Sequence, residues 1–159
     1  MSNGQTCFNL VDNGKTESWH KSYRWGIGIT DQNEPIFGCM DNMTYRDFIS
    51  AYPPLVEGGR KSIITYAKEI DYKARRSLFG YSKTHIYLIV IDSPGMNFKE
   101  MQDFCLSLGM EYAINLDGGG SSSMIHKGIT ITDTTNRQVD NVIAVYLKKE
   151  EPKKIIYRV

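Results

Sequence analysis

Residues 85–124, HIYLIVIDSPGMNFKEMQDFCLSLGMEYAINLDGGGSSSM, constrain the fold more than any other stretch. HIYLIVID (85–92) is apolar on both faces and rich in β-branched residues, the pattern of a strand inside a sheet. NFKEMQDFCLSLG (97–109) places Phe98, Met101, Phe104, Cys105 and Leu108 on one stripe. Asn97 is positioned to cap this segment and Gly109 to end it, so a helix with its stripe in the core is predicted. YAINLD (112–117) is a second apolar run. Strand, helix and strand in close succession predict a right-handed βαβ crossover.

The remaining segments are shorter. WGIGIT (25–30) and PIFGCM (35–40) read as strands around the turn DQNE. TYRDFISAY (44–52) reads as a helix, with Thr44 as N-cap and Pro53-Pro54 as its stop. PLVEGGRKSII (54–64) reads as strand, Gly-Gly turn, strand, and SSMIHKGITIT (122–132) as a hairpin. NVIAVYLK (141–148) reads as a further buried strand, and KKEEPKKIIYRV as a charged hinge leading to an edge strand. KEIDYKARRSLFGYSK (68–83) has no decisive period, and the polar first 24 residues are left unassigned. These elements predict one domain over 1–159 of the α+β or mixed α/β class, a mixed β-sheet covered by helices.

Composition narrows the function classes. With 159 residues the chain is long enough for a core without staples, and a net charge of +1 argues against a large nucleic-acid footprint. The three cysteines form no CxxC pair, so reduced thiols are expected, not disulfides or zinc ligands. The N-terminal stretch lacks an apolar leader and no run approaches the ~20 apolar residues of a membrane span. The expectation is a cytoplasmic protein with no membrane partner. The oligomeric state stays open.

The run NLDGGGSSSM (115–124) sits where ligands of α/β sheets bind, beyond the carboxyl end of a strand. Gly118, Gly119 and Gly120 can turn successive N–H groups inward as an anion nest, and Ser121, Ser122 and Ser123 add hydroxyls. A tight strand-to-strand bend is an equally good reading on composition alone. The run has no GK[ST] and is not a P-loop, and GIG (26–28) lacks the third glycine of a dinucleotide fingerprint.

AINLDGGGSSSM resembles the signature of the phosphodiester glycosidase family. YPPLVEGGR, ARRSLFGY, the strand–helix–strand segment and NRQVDNVIAVY resemble further family segments in the same order, over roughly residues 52–147. The resemblance implies a phosphodiester glycosidase-like domain that hydrolyses a sugar–O–phosphate bond at the sugar carbon. Such a site must hold a phosphodiester anion and stabilise an oxocarbenium-like centre. Arg76 and Arg137 lie in matching segments and are the phosphate candidates, because a guanidinium fork fits two phosphate oxygens; Arg75 is less favoured. Asp117 is assigned acid–base or electrostatic work at the sugar carbon, in preference to cation binding, and Asn115 is placed to orient it or a sugar hydroxyl. The usual glycosidase scheme calls for a second carboxylate. Asp92, at the end of the neighbouring strand, and Glu57, before Gly58-Gly59, are the candidates, each equally readable as a turn residue. Asn141 is a weaker polar candidate.

No cofactor and no metal site is implied, since His20, His85 and His126 are scattered singly. The expected partner is a small sugar-phosphate or nucleotide-like molecule, including nucleotide-sugars. Two rival readings stand beside the hydrolase: a non-catalytic sponge that sequesters a phosphorylated sugar or nucleotide, and a structural subunit in which the glycines only bend the chain.

Overall fold

A computed structural model describes residues 25–39, 44–64, 70–133, 137–139 and 142–145. Its elements are β1 (Trp25–Ile29), β2 (Pro35–Cys39), β3 (Asp47–Ser50), β4 (Pro54–Glu57), β5 (Arg60–Lys61), β6 (Ala74–Tyr81), β7 (Ile86–Met96), α1 (Phe98–Ser107), β8 (Tyr112–Asn115), β9 (Met124–His126) and β10 (Ile129–Thr132). They form a five-stranded sheet in the order β5-β4-β8-β6-β7, a three-stranded sheet β2-β1-β3 and the hairpin β9-β10. Every strand pair is antiparallel. The α+β class with a mixed sheet covered by helices is therefore overturned: the described residues are mostly strand, with α1 their single α-helix.

Two local differences account for this correction. TYRDFISAY forms β3, not a helix, because residues 47–50 pair with the second edge of β1 from Asp47↔Ile29 to Ser50↔Gly26. That pairing buries Phe48 and packs Ile49 between the sheets, a gain no isolated helix could match. ARRSLFGY, without a clear period in the sequence, forms the eight-residue strand β6 at the centre of the large sheet. Arg76, Leu78 and Gly80 are its buried set, and the alternate residues face the other side.

The strand–helix–strand unit is present, but its strands are not neighbours. β6 lies between β7 and β8 and is antiparallel to both, so β7 and β8 are parallel to each other with one strand between them. α1 covers one face through Phe98, Met101 and Cys105, which meet Leu55, Val56, Leu78, Met110 and Ala113. The other face meets the three-stranded sheet through Ile114, Phe79 and Leu116 against Ile27, Phe37 and Ile49. The large sheet is thus the middle layer of three.

The helix ends follow the sequence closely. Asn97 Oδ1 accepts from Glu100 N–H at 2.9 Å while Glu100 Oε2 accepts from Asn97 N–H at 3.0 Å, a reciprocal capping box. Asp71 Oδ1 takes the Phe98 N–H at 2.8 Å. At the other end Gly109 adopts φ +71°, with Gly109 N–H on the Leu106 carbonyl and Met110 N–H on the Cys105 carbonyl, a Schellman closure. The predicted stripe is amended at three places: Leu108 is exposed, Phe104 is only half-buried while Leu106 packs against the core, and Gln102 is buried, its Nε2 donating to the Leu55 and Ser62 carbonyls.

The hairpins at 54–61 and 124–132 form as read. Residues 142–145 are not in a strand, and Val142 and Val145 are exposed; the rest of the proposed strand 141–148 lies outside the described residues, as do the first 24 residues and the C-terminal charged segment.

Removing the cap with Asn97→Ala should lower stability by about 1 kcal/mol, and Met101→Ala by roughly 2–5 kcal/mol because it leaves a core cavity. Both should appear as lower urea midpoints at unchanged slope.

Candidate active site

The glycine run leaves the centre of the large sheet. β8 is held on both sides, by β4 (Pro54↔Ile114) and by β6 (Leu78↔Asn115). The grip extends beyond the strand, with Asn115 N–H on the Pro53 carbonyl at 3.0 Å and Leu116 N–H on the Ser77 carbonyl at 2.8 Å. Asp117 then emerges as an exposed carboxylate whose Oδ1 accepts from Gly118 N–H at 2.9 Å.

Gly118 is extended and lies against β6: a Cβ there would sit 3.1 Å from the Arg75 carbonyl oxygen. Gly119 takes φ +60°, and Gly119–Ser121 form one 3-10 turn closed by Ser121 N–H on the Gly118 carbonyl and Ser122 N–H on the Gly119 carbonyl. The consecutive N–H groups of Gly119 and Gly120 have no hydrogen-bond partner among the described residues. Adjacent N–H groups without a partner are the donors that an anion-binding nest supplies. The hydroxyls of Ser121 and Ser122 are buried without a hydrogen-bond partner among the described residues.

Arg75 adjoins this loop. Its Nη2 donates to the Ser122 carbonyl at 3.0 Å and the Asp133 carbonyl at 2.7 Å, with Thr132 Oγ1 at 3.5 Å. Its Nε lies 2.9 Å from Asp92 Oδ1. That N–H is not aimed at the carboxylate, so the contact is an ion pair without a hydrogen bond. Asp92 Oδ1 also accepts from Ser93 N–H, and Oδ2 from the Thr132 hydroxyl, both at 2.9 Å. The Ser93 N–H first, then the Thr132 hydroxyl and the Arg75 charge, hold the Asp92 carboxyl below its ordinary range.

The sequence model of the phosphodiester glycosidase family matches residues 40–146. The chain belongs to the phosphodiester glycosidase family. Among solved structures it is similar to the catalytic domain of zebrafish N-acetylglucosamine-1-phosphodiester alpha-N-acetylglucosaminidase, described as auto-inhibited by its pro-peptide. That match has a TM-score of 0.56 and 21% identity, over 71% of this chain and 45% of the zebrafish chain. It is also similar to a hypothetical protein from Synechocystis, with a TM-score of 0.50 and 23% identity, over 57% of this chain and 19% of that one. At these identities the two structures speak to the fold, and this chain spans less than half the length of either. No sequence-level match to a curated protein accompanies them.

Within this family fold the candidate residues separate. Asp117, Gly118, Gly119, Gly120 and Ser121 form one continuous loop at the carboxyl end of β8. Asp92 lies at the same end of the sheet, two strands away, and is engaged by Arg75, Thr132 and Ser93. Glu57 lies at the opposite end, because antiparallel pairing puts Val56 beside Ala113; five residues of strand, roughly 16 Å, separate its level from that of Asp117. Glu57 Oε2 instead accepts from the Ser62 hydroxyl at 2.8 Å. Asn115 is buried with Nδ2 on the Tyr52 carbonyl at 2.9 Å and its Oδ1 without a hydrogen-bond partner among the described residues.

Arg76 points to the helix face. It is 5% exposed, its Nε donates to the Met96 carbonyl, and its Nη2 donates to the Ile70 and Tyr72 carbonyls at 2.6 and 2.7 Å. The guanidinium also lies over the Phe98 ring at 4.5 Å. Burial lowers its pKa, against the pull of Tyr72 and Asp71, and an arginine so placed remains charged. Arg137 is exposed, and Asn141 lies outside the described residues. Sequence reasoning ranked Arg75 below Arg76 and missed Thr132. The signal for Arg75 was the period of two in RRSLFGY: with Leu78 inward, Arg76 must also turn inward and Arg75 away. Thr132 carried no such signal, because its partners come from β6 and β7. No group of three or more His, Cys, Asp or Glu side chains among the described residues is arranged to hold a metal ion.

A carboxylate depressed in the folded state contributes stability that is present above its unfolded pKa and lost as pH falls through the folded value. The stability gap between the wild type and Asp92→Asn should therefore be widest near neutral pH and narrow below about pH 4. Urea titrations at several pH values would measure it. A gap that does not change with pH would show that the Asp92 charge does not contribute.

Proposed function

We propose that this chain hydrolyses a glycosyl phosphodiester, cleaving the sugar–O–phosphate bond of a small sugar-phosphate or nucleotide-type molecule. The observation that carries this reading is the juxtaposition of an exposed carboxylate, Asp117, with the two unpaired N–H groups of Gly119 and Gly120 in a member of the phosphodiester glycosidase family. The phosphate sits on the N–H pair, and the sugar carbon faces Asp117. The C1–O bond breaks with its electron pair on the phosphate oxygen, a water oxygen bonds to C1, and Asp117 takes the water proton while offsetting the positive charge at C1.

One carboxylate suffices for this bond. In ordinary glycosides a second carboxyl group protonates a poor alkoxide leaving group. A phosphate monoester, whose second ionisation lies near pH ~6, already leaves as a stable anion. The loop N–H groups meet the charge as it develops. This accounts for a site in which Asp92 is engaged elsewhere and Glu57 lies at the far end of the sheet.

The same lack of a second open carboxylate beside Asp117 among the described residues favours one alternative, a sponge that binds a phosphorylated sugar or nucleotide without turnover. The two readings differ in product. Incubation with UDP-N-acetylglucosamine and a panel of sugar-1-phosphodiesters, followed by mass spectrometry, should release free sugar, with UDP from the first and a phosphate monoester from the others. Asp117→Asn should lower that rate by at least about 100-fold while leaving ligand-induced thermal stabilisation in place. Stabilisation by an intact ligand in the wild type identifies the sponge, and full activity in the variant removes Asp117 from the mechanism. Gly119→Ala, which forces a side chain into the left-handed region at a cost of about 1–2 kcal/mol, should weaken binding in either case.

A further inference from the structure

We propose that Arg75 is the positioning residue of the glycine–serine loop, its guanidinium holding the exit of the segment that presents the Gly119 and Gly120 N–H groups. The inference rests on reading that loop as the anion site. At the loop's start, Gly118 packs against Arg75's own main-chain carbonyl, so closely that a Cβ on Gly118 would stand 3.1 Å from that oxygen. At its exit, the Arg75 guanidinium donates to the Ser122 carbonyl at 3.0 Å. Ser122 is also the residue whose N–H closes the turn onto the Gly119 carbonyl at 3.3 Å. Moving Ser122 therefore moves both open N–H groups.

Among the described residues the buried Ser121 and Ser122 hydroxyls make no hydrogen bond, so the side-chain hydrogen bond on this turn from outside it is that of Arg75. Arg75 is itself fixed by a ring of contacts drawn from two other strands. Asp92 of β7 pairs with Nε, Asp92 Oδ2 accepts from the Thr132 hydroxyl at the end of β10, and Thr132 Oγ1 and the Asp133 carbonyl lie on Nη2. One guanidinium thus sets the loop against β7 and against the base of the β9–β10 hairpin. Asp92 acts through Arg75 and is a positioning residue as well, not the second catalytic carboxylate. Arg76, on the opposite face, serves a separate purpose by anchoring residues 70–72 near the start of α1.

Hydrogen–deuterium exchange on the whole chain tests this without assuming any activity. In Arg75→Met, amides in peptides covering 117–123 and 124–133 should exchange about tenfold faster or more, because a charge-assisted clamp is lost. Those of α1 should keep their wild-type rates. Arg75→Lys retains the charge but not the fork and should fall between the two. Thr132→Val, which removes only a hydroxyl from the ring, should give a smaller change in the same peptides and serves if Arg75→Met does not fold. Unchanged exchange at 117–123, or an equal rise in α1, overturns the proposal. With UDP-N-acetylglucosamine as probe, Arg75→Met should also lose at least about tenfold in kcat/KM or in affinity. If the wild type neither binds nor cleaves any phosphodiester offered, the glycosidase reading falls, and the exchange pattern still decides the role of Arg75.

Discussion

The register between β6 and β8 is the constraint on which the rest of the site depends. Pairing Leu78 with Asn115 puts the end of β8 beside the start of β6, so the chain leaving the sheet at Asp117 passes directly over Arg75 and Arg76. A shift of one residue would exchange the two faces of β8, taking Ala113 off the helix and Ile114 out of the contact between the sheets. Hydrophobic burial on both faces therefore fixes the position of a polar loop that itself buries almost nothing apolar.

The two adjacent arginines show how strand geometry divides labour. Arg76 belongs to the helix-covered side, where its charge is met by three carbonyls and the Phe98 ring. Arg75 faces the other way and meets the loop, the hairpin base and Asp92. Apart from the Met96 carbonyl at the end of β7, both guanidinia bind main-chain oxygens of segments outside the ladders. Such carbonyls need donors when they are removed from water, and a five-donor fork can satisfy several at once. Paired arginines at the end of a central strand are thus a means of fastening two irregular segments, one on each side of the sheet.

The parts of the fold that could be read in advance share one property: their signals are local. The α1 cap, its Schellman end at Gly109, the Gly58-Gly59 turn and the 124–132 hairpin each depend on residues within a few positions of one another. β3 and the central place of β6 were not legible in this way, because they depend on pairing with distant segments, β3 with β1 and β6 with β8. For the site, the loop from Asp117 to Ser121 was legible because a glycine run in a folded domain implies an unusual backbone. The Arg75–Asp92–Thr132 ring was not, because its three members come from three strands and none has an unusual neighbourhood in the chain.

By itself the sequence determined the family, the helix with both its ends, and the loop at which an acidic side chain meets consecutive glycines, since each of these is written in contiguous residues. Only the tertiary structure decided that the large sheet is wholly antiparallel, that β6 separates the two strands joined through α1, and that Glu57 lies far from Asp117. It also decided that Arg75 faces the loop while Arg76 is buried beneath the helix. The reason is the same for all four. Strand order and facing are set by which apolar surfaces cover one another, and that is a property of pairs of segments.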